Sequence, residues 1–353
     1  MDISEVMKKR GINSDCTILQ TLKIMDERHV KMLLIFSGND FVGILTIGDI
    51  QRAIIKKPDL MQPIMSIIDP NKDYASPEDA PEVIRKKMVS LRAECMPVVS
   101  KDGKLIDIYE WQDMISCEPP AVRRGDIDIP VIIMAGGKGV RLKPLTNVIP
   151  KPLIPLGEKT IIEVILQQFH DIGCRNFYIS VNYKADMLKY YIDSLPQHYN
   201  IEYFQEDVPM GTIGSISLLN RKFSSPFFVS NCDIVIDQDF REVYDYHVSN
   251  ANDITIVAAV KDYSIPYGVI EVGKDGIVSG LREKPTNAFM VNTGVYILNA
   301  DMVDKIPPNT KFNITDLIEE VIAAGGRVGS FPVSANAWTD IGDMPEYIKF
   351  LGR

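Results

Sequence analysis

The sequence predicts an α/β protein whose larger part is a mostly parallel sheet with helices on both faces, preceded by a smaller α+β part. Three observations predict it. From Ile129 onward, short apolar runs alternate with stretches of helical spacing, the pattern of parallel strands joined by crossover helices. Before that, residues 1–57 and 58–116 repeat one another at an offset of 64 positions, and such a unit needs its copy to bury both of its faces. The first apolar run after Ile129 opens directly into a glycine-rich, basic loop, at the carboxyl end of a strand where ligands of such sheets sit.

Composition sets the frame. The 353 residues are 46% apolar and 24% charged, enough to bury two cores. A net charge of −9 argues against a nucleic-acid partner, because phosphate backbones reward clustered Lys and Arg. The opening MDISEVMKKRGINSD is charged and no later apolar run is long enough to span a bilayer, so a cytoplasmic protein without membrane association is expected. Cys16, Cys95, Cys117, Cys174 and Cys232 are scattered without a C-x-x-C pair. That suits reduced, buried thiols better than a disulfide or zinc framework.

In chain order, each copy of the repeat reads as a helix (Leu19, Leu22, Met25; Val83, Ile84, Met88), a buried strand (LLIF; MPVV), a turn (SGND; SKDG), a second strand and another helix. With the tract GILTIGDI at 43–50, the arrangement resembles a tandem CBS domain pair over residues 1–116. In such domains a G-h-h-T-x-x-D tract brings a hydroxyl and a carboxylate to the ribose and phosphate of an adenine or guanine nucleotide, which nominates Thr46 and Asp49. The second copy has Glu110 in place of Thr46, where an added carboxylate repels phosphate, so the resemblance implies one nucleotide site at most. The competing reading is that Thr46 and Asp49 only cap the following helix. CBS pairs resemble nucleotide sensors or dimerising plates, and a homo-oligomer is expected. Residues 117–128, CEPPAVRRGDID, read as the linker to a catalytic domain at 129–353.

That domain begins with the strand VIIMA, followed by GGKGVRLKPLTNVIPKPL, a helix from Thr160, FYISV, a helix around 184–195, IEYF, a helix after Gly214, FFVS and ITIVAAV. In the loop, Gly136, Gly137 and Gly139 allow a tight turn that aims backbone N–H groups at an anion, and Lys138, Arg141 and Lys151 bring positive charge. No G-K-[ST] follows, and Leu142 fills the third glycine position of the dinucleotide fingerprint, so neither of those common phosphate loops is present.

With Pro150 and Pro152 around Lys151, the loop resembles the G-G-x-G-x-R-L and P-K-P tracts of sugar nucleotidyltransferases, and the likeness continues along the rest of the chain. It implies a Rossmann-like, GT-A-like fold and transfer of a nucleotidyl group to a hexose 1-phosphate, with release of pyrophosphate and use of Mg²⁺. Arg141 and Lys151 take the catalytic positions, beside the nucleotide-binding Gly136, Gly137 and Gly139. The tract EDVPMGTIGS resembles the base-receiving segment, nominating Glu206, Gly211 and Thr212. Asn231-Cys232-Asp233 resembles the N-G-D tract, whose aspartate binds magnesium and the ribose side of the nucleotide. YGVI, EKP and NTG resemble the sugar-phosphate tracts, nominating Gly268, Glu283, Lys284, Asn292, Thr293 and Gly294. WTDIGDMPEY resembles the W-x-D-x-G tract, giving Asp340 as second metal ligand, 107 positions beyond Asp233.

His29, His170, His198 and His247 stand outside all of these tracts and read as structural or solvent-facing, so no histidine base is suggested. None is needed, because a sugar phosphate is already ionised and catalysis reduces to positioning plus charge neutralisation. A carboxylate at Glu206 suits guanine, which offers two donors on one edge where uracil and thymine offer one. Together with the CBS fusion, this makes the chain similar to the glucosamine-1-phosphate guanylyltransferases of bacterial legionaminic acid synthesis, implying GTP and glucosamine 1-phosphate, with mannose or heptose 1-phosphate as alternatives. Rival readings are a glycosyltransferase, which needs neither GGKGVRL nor PKPL; a nucleotide-sensing protein with an inactive transferase half; and an enzyme activating a choline- or glycerol-type phosphate, which needs none of the sugar tracts.

Overall fold

The computed structural model describes residues 3–91, 93, 95–110, 126–196, 199–219 and 221–351. The chain divides into two compact units, Met1–Arg124 with Asp262–Ala288, and Gly125–Lys261 with Phe289–Arg353. The stretch 262–288, expected within a single catalytic body, thus belongs to the first unit.

In the first unit, β1 (Gly11–Asn13) pairs parallel with β2 (Met32–Ser37), which pairs antiparallel with β3 (Asp40–Thr46). The helix Ile18–Glu27 starts at a capping box formed by Thr17 and Gln20 and buries Ile18, Leu19, Leu22 and Met25, the apolar stripe legible in the sequence. The helix Pro81–Leu91, β4 (Cys95–Val99) and β5 (Leu105–Glu110) follow at about the offset of the sequence repeat, again with an antiparallel strand pair. Met32, Leu34 and Ile44 of the first copy share one core with Cys95 and Ile108 of the second, so each copy covers apolar surface the other cannot hide alone. The closing helix expected for the second copy and most of the 117–128 linker lie outside the described residues.

Thr46 and Asp49 form a reciprocal cap on the helix Ile47–Lys56. Asp49 accepts from the Thr46 backbone N–H at 2.8 Å and from the Thr46 hydroxyl at 2.7 Å, and it pairs with Lys72 at 2.8 Å and with Arg52. The capping reading therefore accounts for both side chains, and any nucleotide seeking Asp49 has to displace Lys72 and Arg52.

The remaining strands are β6 (Val131–Met134), β7 (Pro155–Leu156), β8 (Lys159–Thr160), β9 (Asn176–Val181), β10 (Asn200–Gln205), β11 (Phe227–Asn231), β12 (Ile234–Ile236), β13 (Ile254–Ser264), β14 (Val269–Val272), β15 (Val278–Arg282), β16 (Thr286–Leu298), β17 (Val328–Ser334) and β18 (Trp338–Asp340). Seven of them build the main sheet in the order β10-β9-β6-β11-β16-β13-β17. β10, β9, β6 and β11 run parallel, as do β13 and β17, while β16 is antiparallel to β11. This is the mostly parallel sheet the alternation predicts. Alternate residues of β11 face opposite layers: Phe228 meets Phe169 of the helix Ile161–Asp171 and Phe240 of the helix Phe240–Ser249, while Phe227 and Val229 share a core with Leu317 and Val321 of the helix Ile314–Ala323. Helices cover both faces.

One expected helix is shorter than its apolar pattern suggests. After Gly214 the chain makes only a 3-10 segment, Gly214–Leu218. Gly214 lies so close to the Thr310 carbonyl that a Cβ would come within 2.5 Å of it, and its Gly, Ser and Ile residues are indifferent helix formers. Among the described residues no helix is long and apolar enough to cross a membrane, and Cys16, Cys174 and Cys232 are free thiols.

His247 is buried and its ring is satisfied on both sides. Its Nδ1 lies 2.9 Å from the Thr255 hydroxyl and its Nε2 lies 3.1 Å from Asn299 Oδ1. Because Asn252 donates to the same Thr255 oxygen at 3.0 Å, the hydroxyl is left to donate to Nδ1 and the neutral ring donates from Nε2. Burial pushes the pKa of His247 below its ordinary 6.5, against the smaller opposing effects of Asn299 and Asp253. With the folded value below the unfolded one, the unfolded chain binds the extra proton, so stability is lost as pH falls through the unfolded value. The melting temperature is expected to drop between about pH 7 and about pH 5, with a shallower slope in His247→Gln; equal slopes would exclude His247 as the group responsible.

Candidate active site

The glycine loop leaves β6 with its pairing extended by one hydrogen bond, Ala135 N–H to Ser180 O at 3.0 Å. Gly139 has to be glycine on two counts: its φ is +60°, and a Cβ would sit 2.8 Å from the Thr146 methyl. The Thr146 hydroxyl donates to the Gly139 carbonyl at 2.9 Å and closes the loop. Leu142 is fully buried and anchors the turn Val140–Leu142, which explains its place at a position where the dinucleotide fingerprint has glycine. Gly137, Lys138 and Arg141 are exposed at the mouth.

Lys151 is buried, and its ammonium pairs with the carboxylate of Asp233 just beyond β11. β12, which follows Asp233, pairs antiparallel with β18, setting Asp340 opposite Ile234, and the Ile341 N–H donates to the Asp233 carbonyl at 2.9 Å. A short strand pair thus brings together two carboxylates that lie far apart in sequence. Burial first, and then the neighbouring Asp233 charge, push the Asp340 carboxyl above its ordinary value of 3.8, against Lys151, the Gly342 N–H and Arg141. The Oδ1 atom of Asp340 is buried without a hydrogen-bond partner. A Cβ on Gly342 would lie 2.6 Å from that oxygen and 3.3 Å from Arg141 Nη2, so Arg141 reaches the same cluster.

Among the described residues no group of three or more His, Cys, Asp or Glu converges, so the protein offers two carboxylates and no closed metal cage. A buried carboxylate oxygen lacking a donor, beside a second carboxylate, is an incomplete set that a hard cation completes. Magnesium takes one or two carboxylates and fills its octahedron with phosphate oxygens and water. The residues fit it.

On the other side of the loop, Glu206 is buried. Its Oε1 accepts from Ser180 Oγ at 2.6 Å, its Oε2 from the Met210 N–H at 3.2 Å, and its carbonyl from Asn182 Nδ2 at 2.7 Å. A Cβ on Gly136 would come 3.2 Å from Oε1, so Glu206 props the start of the phosphate loop. Gly211 and Thr212 are docked on the amino end of the helix Ile314–Ala323: a Cβ on Gly211 (φ +84°) would come 2.4 Å from the Phe312 carbonyl, and Thr212 Oγ1 accepts from the Ile314 N–H at 2.8 Å.

The expected sugar tracts belong to different units. Asn292 Oδ1 accepts from the Gly294 N–H at 3.0 Å and from the Tyr296 hydroxyl at 2.9 Å, and the buried Thr293 hydroxyl donates to Val257 O at 2.7 Å. Gly294 (φ +91°) leaves 2.5 Å between a would-be Cβ and Asn231 Nδ2. Gly268, Glu283 and Lys284 instead lie within 262–288 of the first unit. There Glu283 Oε2 stands 2.9 Å from the place of a Gly268 Cβ, and Lys284 adopts φ +43°.

Several participants escaped the sequence reading. Tyr183 donates to the Thr146 carbonyl at 2.9 Å and Lys184 to the Asn147 carbonyl at 2.8 Å, clamping the far side of the loop; their signal was their place just after β9. Gly342 was visible as the last residue of the W-x-D-x-G tract. Lys261, whose ammonium sits 4.3 Å from the Trp338 ring centroid, had no signal.

Comparison with known proteins agrees with this architecture. The nucleotidyl transferase family model matches residues 130–351, and the CBS domain model matches residues 3–56. The mannose-1-phosphate guanyltransferase of Saccharomyces cerevisiae is 29% identical over 230 residues, covering 62% of this chain and 62% of the relative. That of Yarrowia lipolytica is 32% identical over 230 residues with the same shares. The chain thus spans about 62% of the length of these curated relatives. The crystal structure of HddC from Yersinia pseudotuberculosis is similar with a TM-score of 0.50 at 25% identity, covering 64% of this chain and 98% of that one.

Proposed function

We propose, from the premise that this chain belongs to the nucleotidyl transferase family, that it transfers a nucleoside monophosphate from a nucleoside triphosphate to a hexose 1-phosphate and releases pyrophosphate. The observation that carries this reading is the convergence of Lys151, Asp233, Asp340 and Arg141 at the carboxyl edge of the sheet. An oxygen of the sugar phosphate attacks the α-phosphorus, the bond from that phosphorus to the bridging oxygen breaks, and pyrophosphate departs with the electron pair. No protein base is required. Arg141 and Lys151 spread the charge that builds on the phosphates, and the amides around Gly136, Gly137 and Gly139 hold the triphosphate in line. Asp233 and Asp340 are the residues that would hold Mg²⁺, and the ion would there neutralise phosphate charge.

Guanine is the base we assign. Its support is the carboxylate of Glu206 beside Gly136, with Gly211 and Thr212 completing the segment, and the names of the curated relatives. For the sugar, those names favour mannose 1-phosphate, while the CBS fusion and its resemblance to legionaminic acid guanylyltransferases favour glucosamine 1-phosphate. Gly268, Glu283, Lys284, Asn292, Thr293 and Gly294 are the proposed sugar-phosphate positions. Asn292 and Thr293 already carry protein hydrogen bonds within the second unit, so their side chains hold their own tract in shape more than they bind. Thr46 and Asp49 remain the proposed contacts for an adenine or guanine nucleotide in the CBS region, whose roles we assign as control and assembly.

The deciding experiment crosses GTP, UTP, dTTP, CTP and ATP with mannose, glucosamine and heptose 1-phosphates in the presence of Mg²⁺ and reads pyrophosphate release. GTP is expected to be the preferred nucleotide. Glu206→Gln is expected to cost GTP about 1–3 kcal/mol in kcat/KM, because an amide leaves one buried donor without an acceptor. Equal losses with every base would assign Glu206 to loop support alone.

A further inference from the structure

The pairing of Lys151 with Asp233 has a consequence for the order of binding, which rests on the two-carboxylate metal site proposed above. We propose that Lys151 is an internal substitute for the divalent cation: it holds the Asp233 carboxylate until a triphosphate draws its ammonium away, so that metal is taken up with the nucleotide and not ahead of it.

The Lys151 side chain is 8% exposed and that of Asp233 is 18% exposed. Lysine is almost never this buried without a partner, and removing either charge would strand the other. The backbone under the pair is fixed, with Lys151 opening a 3-10 turn between Pro150 and Pro152 and all three residues buried. The stem of Lys151 runs beneath the phosphate loop, since a Cβ on Gly139 would come 3.1 Å from its Cβ and 3.5 Å from its Cδ. The ammonium therefore swings on a flexible four-carbon stem between Asp233 and the loop above it, and the backbone need not move.

Charge explains the direction of the swing. Lys151, Asp233 and Asp340 together carry one net negative charge, so a divalent ion arriving alone meets a carboxylate already neutralised and a cation of its own sign. A triphosphate in the loop offers the ammonium several negative oxygens. Once Lys151 turns to them, the Asp233 Oδ2 that it held is freed beside the Asp340 oxygen that lacks a partner. Nucleotide then raises metal affinity, and by linkage metal raises nucleotide affinity to the same degree.

The test is Mn²⁺ binding to the full chain without nucleotide, followed by electron paramagnetic resonance of free Mn²⁺ and by calorimetry. Wild type is expected to bind weakly. Lys151→Met is expected to bind about tenfold tighter or more, because a like charge has left the site. Lys151→Arg is expected to stay near wild type, and Lys151→Met combined with Asp340→Asn to lose the gain. Should Lys151→Met fail to fold by circular dichroism, Lys151→Gln, which keeps a donor for Asp233, takes its place with the same expectation. Unchanged or weaker binding in the folded neutral variant, with binding still lost in Asp340→Asn, overturns the role of Lys151 and leaves the metal site standing. Binding that ignores Asp340→Asn overturns the metal site itself.

Discussion

Asp340→Asn and Asp233→Asn are each expected to lower turnover by on the order of 10³-fold, since metal neutralisation of phosphate charge accounts for several kcal/mol of barrier. The loss should approach that produced by chelating the metal, and added Mg²⁺ should restore only part of it. The two variants separate in stability. Asp340 has an oxygen without a hydrogen-bond partner and lies beside the Asp233 charge, so its neutral amide removes a repulsion and should leave the melting temperature unchanged or raised, as residues kept for function at a cost in stability do. Asp233 anchors Lys151, so its replacement should lower the melting temperature. Pyrophosphate release across a Mg²⁺ series, with melting curves on the same samples, measures both. Wild-type rates in either variant at limiting Mg²⁺ would remove that residue from the metal site.

Arg141→Ala is expected to reduce kcat by on the order of 10²-fold or more, the usual cost of losing a preorganised charge stabiliser. Arg141 is exposed at the mouth of the loop and reaches toward Gly342 beside Asp340, so its truncation should leave the fold intact while removing positive charge where phosphate charge develops. Lys151→Ala should fall at least as far, with an added loss of stability because Asp233 is left partly buried without its partner. Steady-state kinetics with GTP and the preferred hexose 1-phosphate distinguish the outcomes. A rise in KM with kcat unchanged means that Arg141 binds ground state and transition state equally and is not catalytic.

What the sequence made legible is what local pattern encodes. The alternation of apolar runs with helical spacing predicted the sheet and its two helical layers. The three loop glycines predicted a tight turn, which Gly139 makes with a φ of +60°. The Asp233 and Asp340 pair was legible only through motif resemblance, since no spacing rule predicts that β12 and β18 will zip together. The rest is decided by tertiary neighbours. Thr293 stands in a sugar tract, yet its hydroxyl is consumed by the Val257 carbonyl. Glu206 was read by its edge toward a base, while Ser180 and the Met210 N–H each donate to one of its carboxylate oxygens. Gly214 begins a promising apolar stretch, but its closeness to Thr310 leaves room for little more than a single turn. None of these partners is within reach of a periodicity argument.

The division of the chain also bears on how such a protein can change over evolutionary time. Because the first unit is assembled from Met1–Arg124 and Asp262–Ala288, the polypeptide crosses between the units three times, and no single cut frees one from the other. One cut between residues 124 and 125 would release the amino-terminal stretch but leave 262–288 behind with the rest of the chain. A length change within 262–288 alters the first unit while shifting the ends of β13 and β16, which carry the sheet of the second.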